Sequence, residues 1–187
     1  MNILLNNKDF SLYNIFNCDT KENIIMEGKF TKLLYSNELF TMNGLYFSFP
    51  IENVTIEKLG NKNIVKFHPY SQVNLPIVQD FAKIEYRILD HYKYMNKCLR
   101  KISNTLSKQM YSGSMKIYKD LHIFTPLKNS NETPFTISNN NGYKNNDKNN
   151  DNNNKNYNEN PIDFFLKISG IWETENEIGL TYKLHRT

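Results

Sequence analysis

Between residues 24 and 67, apolar and polar residues alternate in short runs that turn residues separate, which is typical of β-strands. Asn43-Gly44 lies between two such runs and can adopt positive φ at both turn centres at little cost. We therefore predict a β-hairpin around this dipeptide. A second hairpin is predicted around Gly60-Asn61, with strands at residues 54–59 and 62–67.

The hydrophobic period changes after Pro76. Apolar residues then recur every three or four positions, as on one face of an amphipathic helix, at Ile77, Phe81, Ile84, Ile88, Tyr92, Met95, Leu99, Ile102 and Leu106. We predict one helix of about eight turns that ends before Gly113. Glu85 is assigned to its polar side. No acid follows Asp90, so the second half is predicted to present a basic face with Lys93, Lys97, Arg100, Lys101 and Lys108.

Strand character returns at residues 115–126, and a further short strand is predicted at residues 134–137. Residues 139–160 then hold 13 asparagines in 22 positions and no aliphatic residue. Such a segment cannot bury enough apolar surface to offset its chain entropy, so we predict a disordered insertion. Two apolar-aromatic runs at residues 163–172 and 178–186 flank a polar turn and predict a hairpin that completes the core.

This order of elements predicts a mainly β, α+β fold with one long amphipathic helix and a disordered Asn-rich loop. It is the order of an OB-type small barrel with additions, and a curved antiparallel sheet with a helix on one face would give much the same pattern. Residues 10–16 are predicted to form a short helix that packs as a lid. Residues 1–138 and 161–187 are predicted to form a single folded domain around the insertion at 139–160.

Charge and cysteine content narrow the picture only slightly. The net charge is +4 and the Asn-rich segment sums to zero, so the excess of positive charge belongs to the predicted folded part. This is compatible with nucleic-acid binding without establishing it. Cys18 and Cys98 form no C-x-x-C motif, which indicates neither a zinc site nor a disulfide framework. We expect a reducing intracellular compartment, no export signal and no membrane partner.

Motifs for nucleotide binding and common catalytic chemistry are missing from the sequence. The seven glycines are too widely spaced for a G-x-G-x-x-G or Walker-type loop, and there is no G-x-S-x-G or H-E-x-x-H. Glu173, Glu175 and Glu177 are interpreted as a solvated acidic hairpin tip and not as a metal site. We therefore predict no enzyme, no catalytic residue, no metal and no cofactor.

The segments Leu166-Lys-Ile-Ser-Gly-Ile-Trp-Glu-Thr and Ile178-Gly-Leu-Thr-Tyr-Lys-Leu complete a recognisable pattern together with Lys116-Ile-Tyr and Ile123-Phe-Thr-Pro. Residues 114–187, without the Asn-rich tract, resemble the C-terminal half of small proteins encoded by large nucleocytoplasmic DNA viruses. Some of those proteins are OB-fold single-stranded-DNA-binding proteins of viral replication and repair. The resemblance implies a viral protein of the host cytoplasm (viral factory) or the nucleus.

Single-strand binding without sequence preference needs basic residues along the phosphates and rings on which bases stack. Candidates in the matching region are Lys116, Tyr118, Lys119, Lys167, Trp172, Tyr182, Lys183 and Arg186. Lys93, Lys97, Arg100 and Lys101 of the basic helix face are added to them. Trp172 fits a buried core position as well as a stacking surface. Tyr182 and Lys183 are adjacent in a strand, so only one of them can face a given groove; inward Leu180 and Leu184 would leave Lys183 facing it.

Two function classes therefore remain open. The first is a sequence-independent single-stranded DNA-binding protein of viral DNA replication, recombination or repair. The second is a non-enzymatic adaptor or structural protein that binds a protein partner through the long helix. The sequence does not distinguish DNA from RNA, and it leaves a homo-oligomer or a replication-protein partner open.

Overall fold

The computed structural model describes residues 4–23, 27–118 and 164–186. Two 3-10 turns, Asn7–Asp9 and Leu12–Asn14, precede a sheet of ten strands. The strands are β1 (Ile15–Asn23), β2 (Gly28–Ser36), β3 (Thr41–Met42), β4 (Leu45–Ser48), β5 (Thr55–Leu59), β6 (Lys62–Lys66), β7 (Lys101–Ile102), β8 (Ser114–Ile117), β9 (Phe164–Glu173) and β10 (Glu177–Arg186). The helices are α1 (Asn74–Asn96) and α2 (Thr105–Tyr111).

The predicted terminal hairpin is confirmed, and it lies in the middle of the sheet. The strands follow the order β1-β2-β9-β10-β8-β6-β5, with β3 beside β2, β4 beside β9 and β7 beside β10. β9 pairs with β10 along almost its whole length and with both β2 and β4 on its other edge. The α+β class is confirmed. Among the described strands the sheet is open, with β1 and β5 as its two ends.

One of the two predicted early hairpins is confirmed and the other is wrong. β5 and β6 pair around Gly60, which has φ of 59°. β3 and β4 flank Asn43-Gly44, but β3 pairs with β2 and β4 pairs with β9. A Cβ on Gly44 would lie 2.8 Å from the carbonyl oxygen of Ile168, so glycine is needed there for close contact with β9 as well as for its φ of 104°. The turn transfers the chain from one strand of the sheet to another.

The single helix predicted up to Gly113 is also wrong, because the chain breaks it into two. α1 ends where Lys97 adopts a left-handed conformation with φ of 49°, and the amide of Cys98 then donates to the Lys93 carbonyl at 2.9 Å. β7 follows and pairs in parallel with β10 before α2 begins. Met95 and Leu99 are consequently 62% and 98% exposed. The predicted basic face is therefore divided between the end of α1, a loop, β7 and α2.

Helices α1 and α2 cover one face of the sheet, which we call the core face. Phe81 of α1 makes edge-to-face contacts with Phe47 and Phe49, with ring centroids 5.6 and 5.3 Å apart. Ile88 of α1 and Met110 of α2 are buried in the same cluster. The opposite side of the sheet, where the alternate residues of each strand lie, is the outer face.

Residues 10–16 do not form the predicted lid helix. A 3-10 turn and the start of β1 occupy this segment, and Phe10 packs edge-on against Phe47 with ring centroids 5.6 Å apart. β8 confirms strand character at the beginning of the predicted strand 115–126. The remainder of that strand, the strand at 134–137 and the Asn-rich tract lie outside the described residues.

Candidate functional site

Three lysines and two tyrosines follow one another across four adjacent strands on the outer face. Tyr46 of β4 is the register partner of Lys167 of β9, and Lys167 is the partner of Lys183 of β10. Lys116 belongs to β8, and Tyr118 follows that strand with its amide donating to the Leu184 carbonyl at 2.8 Å. We call these five residues the lysine–tyrosine row. With strands about 4.8 Å apart, the row crosses about 14 Å of sheet.

Each lysine of the row lies over an aromatic ring. The Nζ of Lys167 is 4.9 Å from the ring centroid of Tyr46. The Nζ atoms of Lys116 and Lys183 are 4.5 and 5.3 Å from the ring centroid of Tyr118. These are cation–π distances. The contacts place three ammonium groups beside two tyrosine rings.

The lysine–tyrosine row concentrates positive charge that the described residues do not neutralise. Lys167 and Lys183 are directly opposed on neighbouring antiparallel strands, an arrangement that is destabilising for like charges. The salt bridges within the described ranges join Lys66 to Glu57, Lys83 to Asp80 and Arg100 to Glu173, and none of them includes a lysine of the row. The two ammonium groups lie over different tyrosine rings, and an anion bound between them would relieve the repulsion of this pair.

Further along the outer face, two aromatic rings lie over glycines of neighbouring strands. Phe30 and Trp172 are register partners on β2 and β9. A Cβ on Gly179 would lie 2.4 Å from the Trp172 ring, and one on Gly170 would lie 2.5 Å from the Phe30 ring. The two glycines therefore leave the space that the rings occupy. We call this pair of rings the aromatic floor.

The indole of Trp172 is fixed in place by its own hydrogen bond. Its Nε1 donates to the carbonyl of Leu180 at 3.2 Å, so the polar edge of the ring is already satisfied within the sheet. The sequence left open whether Trp172 is a buried core residue or part of a stacking surface. In the structure it is half-buried on the outer face, between these two alternatives. The Nε1 side of the indole lies directly over Gly179 of β10.

Phe165 and His185 lie on the outer face next to the lysine–tyrosine row. They are register partners on β9 and β10, and their rings stack with centroids 4.9 Å apart. The ring of Phe165 also lies 6.3 Å from that of Tyr46. Both residues are buried, so the exposed part of the row begins beyond them.

Two residues predicted for the site are on the core side instead. The hydroxyl of Tyr182 donates to Oε1 of Gln109 on α2 at 2.5 Å, while Lys183 is exposed on the outer face. Burial, followed by the negative charge of Glu85, raises the pKa of Tyr182 to about 12. Arg186 has the same strand parity as Leu184 and is likewise directed away from the outer face. Lys119 lies outside the described residues.

The structure places the basic residues that follow Asp90 far from the lysine–tyrosine row. Lys93 and Lys97 are in the last turn and at the end of α1, and the amide of Lys101 donates to the Asn176 carbonyl beside the β9–β10 turn. Arg100 is used internally, because its Nε donates to the Thr174 carbonyl at 2.6 Å and its Nη1 donates to Glu173 at 2.9 Å. Lys93, Lys97 and Arg100 are therefore not part of the outer face. Lys101 of β7 is the register partner of Glu177, and because the next pair, Ile102 and Ile178, faces the core, Lys101 lies on the outer face, beside the β9–β10 turn and outside the row.

Sequence reasoning missed a buried polar network that includes one of the acids of the predicted tip. Glu173 is 8% exposed and accepts a 2.6 Å hydrogen bond from the hydroxyl of Tyr92 on α1 as well as the bond from Arg100. The Thr31 hydroxyl lies 2.9 Å from that of Tyr92. Burial and the hydrogen bond to Glu173 raise the pKa of Tyr92. The interpretation of Glu173 as a solvated residue is therefore wrong.

Glu85 is a second buried carboxylate that the helical pattern misplaced. It is fully buried and accepts hydrogen bonds from the amides of Leu106 and Ser107 at 2.9 and 2.8 Å, and from the Ser107 hydroxyl. A side chain of α1 therefore caps the beginning of α2. The network of Glu173 and the cap of Glu85 both serve the packing of helices on the sheet, so neither indicates catalysis.

Comparisons of the chain with protein-family models, curated proteins and solved structures found no match. In the described ranges, no group of three or more His, Cys, Asp or Glu side chains is arranged to hold a metal ion. No helix in those ranges is long and apolar enough to cross a bilayer. Any functional conclusion therefore depends on the outer face and on the surfaces of the helices.

Proposed function

We propose that this chain binds single-stranded nucleic acid on the outer face of its sheet without reading the base sequence. The observation that carries the proposal is the direct opposition of Lys167 and Lys183 between two tyrosine rings. DNA, and a role in viral replication, recombination or repair, are favoured by the resemblance described above. That resemblance also implies an OB-type barrel, whereas the described strands form an open sheet; the proposed binding does not require closure.

The lysine–tyrosine row supplies the two interactions that such binding needs. Lysine ammonium groups contact phosphates without sequence information, and each neutralised phosphate releases condensed counterions. A base that stacks on an aromatic side chain contributes about 1–3 kcal/mol. The ammonium groups of Lys116, Lys167 and Lys183 lie over the rings of Tyr46 and Tyr118. If these ammonium groups moved to phosphates, the two rings would be exposed for stacking with bases.

The aromatic floor favours single strands over duplexes. Phe30 and Trp172 are half-buried aromatic residues of the outer face, and a base can stack on such a ring only when it has left its own stack. A duplex offers phosphates to the lysines but keeps its bases stacked. We therefore expect duplex DNA to bind through charge alone and more weakly.

The decisive experiment compares the two groups of lysines with variants of equal charge change. A Lys167→Gln/Lys183→Gln variant is compared with Lys93→Gln/Lys97→Gln at the end of α1 by fluorescence anisotropy of labelled single-stranded oligonucleotides between about 50 and 200 mM salt. We expect the outer-face variant to lower the slope of log K against log salt by about 1.4, since each lost phosphate contact removes about 0.7 for single strands. The α1-end variant should leave the slope unchanged. Absence of wild-type binding at the lowest salt, or a loss confined to the α1-end variant, would reject the proposal.

Trp172 provides an independent reading because it is the one tryptophan of the chain. Stacking of a base on its indole ring should quench its fluorescence as oligonucleotide is added. An abasic oligomer of equal length presents the same phosphates without bases and should bind with little quenching. Equal quenching by both oligomers would contradict base stacking at the aromatic floor.

The alternative function, an adaptor that binds a protein partner, has support from a different surface. Exposed apolar residues gather at the end of α1, on the helix side and away from the outer face. Because the two surfaces are separate, binding of nucleic acid and binding of a protein are compatible in one chain.

A further inference from the structure

The last turn of α1 and the loop that follows it together expose three large apolar side chains. Tyr94, Met95 and Leu99 are 82%, 62% and 98% exposed, although each lies close in sequence to residues packed on the core. Single exposed apolar residues are ordinary, whereas a group of them on one surface marks an interaction site. We call these three residues the α1-end cluster.

The backbone of the loop after α1 is fixed by hydrogen bonds, so the exposure of its side chains does not result from a flexible backbone. Lys97 adopts its left-handed conformation although it is not glycine, and the amide of Cys98 closes the end of the helix. Arg100 then anchors the other side of Leu99 through Glu173 and the Thr174 carbonyl. Leu99 projects from between two fixed residues.

The surroundings of the cluster are basic. Lys93 and Lys97 line one shallow depression of about 680 Å³ together with Tyr94, Met95 and Leu99, and Asp90 is the one carboxylate among its lining residues. Neither of these two lysines takes part in a salt bridge within the described ranges. The charge of this surface therefore complements an acidic ligand.

We infer that the α1-end cluster binds an acidic segment of a protein partner, which places one apolar side chain in the depression between Tyr94 and Leu99. Carboxylates beside that anchor would pair with Lys93 and Lys97. This arrangement of an apolar anchor flanked by charges is a common mode of peptide recognition. The inference goes beyond the proposed nucleic-acid binding and does not depend on it.

Two other ligand classes fit the surface less well. A lipid bilayer would take up the apolar side chains but would bring anionic headgroups against Asp90, and it would leave the depression unfilled. A nucleic acid would find the lysines and the ring of Tyr94, but Met95 and Leu99 offer no ring for a second base and would remain uncovered. A peptide can fill the depression, pair with the lysines and place a hydrogen-bond donor at Asp90.

The test is a selection that assumes no partner sequence. A random library of peptides of about 12 residues, long enough for an anchor and its flanks, is selected against the full chain. Selected peptides are then measured on the wild type, on Leu99→Asp and on Leu59→Asp. Leu59 is a matched control, because it is an exposed leucine on the distant β5–β6 hairpin. Circular dichroism establishes that both variants are folded.

We expect the peptides that lose at least about tenfold in affinity with Leu99→Asp, and not with Leu59→Asp, to be rich in Asp and Glu around an apolar or aromatic residue. A Lys93→Gln/Lys97→Gln variant should weaken the same peptides. Failure to select any Leu99-dependent peptide, or selection of neutral or basic ones, would overturn the inference. So would Leu99-dependent sedimentation with phosphatidylserine vesicles, or Leu99-dependent binding of an oligonucleotide, since either result assigns the surface to another ligand class.

Discussion

Buried charged side chains have hydrogen-bonded partners on the core face of the sheet, whereas the lysines of the row on the outer face have no carboxylate partner among the described residues. On the core face, the buried carboxylate of Glu85 accepts from two backbone amides and a hydroxyl, and that of Glu173 accepts from Tyr92 and Arg100. On the outer face, Lys167 and Lys183 oppose each other without a carboxylate partner among the described residues.

This difference follows from the cost of burial. A buried ionised group is tolerated only when hydrogen bonds or an opposite charge replace its hydration, so the carboxylates of Glu85 and Glu173 are committed to the fold. A solvated lysine keeps its hydration and can retain an unfavourable neighbour at a cost of less than about 1 kcal/mol. Charge on the core face is therefore structural, whereas charge on the outer face remains available to a ligand.

The largest expected effect separates the buried part of α1 from its exposed end. Ile88 is 2% exposed and Met95 is 62% exposed, although the helical pattern gives both the same role. Ile88→Asp should lower the free energy of unfolding by about 4 kcal/mol or more, because it buries an unpaired charge. Met95→Asp should change it by less than about 0.5 kcal/mol. Urea unfolding of both variants measures the difference, and similar losses would mean that α1 continues past Asn96 as an ordinary helix.

The next effect concerns the cap that Glu85 provides for α2. Glu85→Ala leaves the amides of Leu106 and Ser107 without their acceptor and should cost about 3 kcal/mol. Glu85→Gln keeps one acceptor oxygen and should cost clearly less. Unfolding by urea at neutral pH compares the two variants. Equal stability of Glu85→Ala and the wild type would show that water satisfies these amides.

A smaller effect should appear at high pH through Tyr182. Its pKa is raised from 10.0 to about 12, so the folded chain holds the phenol proton more tightly than the unfolded chain does. The resulting stability is fully present below pH 10 and is lost as the pH rises from 10 towards 12. Tyr182→Phe should be about 1 kcal/mol less stable than the wild type at pH 7, because it loses the bond to Gln109. The gap should narrow across that window in urea titrations, and a constant gap would contradict the inward position of this hydroxyl.

The smallest effect tests the outer face with a change that strengthens the fold. Lys183→Glu turns the opposition with Lys167 into an attraction and should raise the free energy of unfolding by about 0.5 kcal/mol at low salt. The gain should shrink as salt screens the pair. Single-strand binding should fall in the same variant. Lys58→Glu is the control of equal charge change, since Lys58 faces Asn63 across the β5–β6 hairpin. Increased stability without weaker single-strand binding would show that the opposed lysines do not contact the nucleic acid.

The parts of the fold that the sequence predicted are those governed by local rules. Alternation identified β9 and β10, and the glycine at the tip of β5–β6 identified that hairpin. The hairpin predicted at Asn43-Gly44 was wrong because β4 pairs with β9, which is distant in sequence, and no local rule reveals that pairing. The prediction of the end of α1 was wrong because Lys97 adopts the left-handed conformation that usually marks a glycine. The apolar spacing of the sequence meanwhile continues through Ile102 and Leu106.

The candidate site was predicted in part for the same reason. Lys116, Tyr118, Lys167, Trp172 and Lys183 were chosen from the sequence, and the structure places all five on the outer face. Tyr46 and Phe30 were missed, because they join the surface only through pairing of β4 and β2 with β9. Gly170 and Gly179 were the available signal, since glycines inside strands often mark the close approach of another group.

The central position of β9 and β10 also determines when the molecule can fold during its synthesis. β2, β4 and β8 acquire their inner neighbours only after residues 164–186 have left the ribosome. Until then, a nascent chain carries three strands with unpaired edges and a helix whose apolar side has no complete sheet to cover. Such intermediates expose surface that associates readily with other chains. We therefore expect ribosome-bound chains that stop before residue 164 to associate with other chains or with chaperones more than chains whose residues 164–186 have left the ribosome, which co-sedimentation with stalled ribosomes would measure.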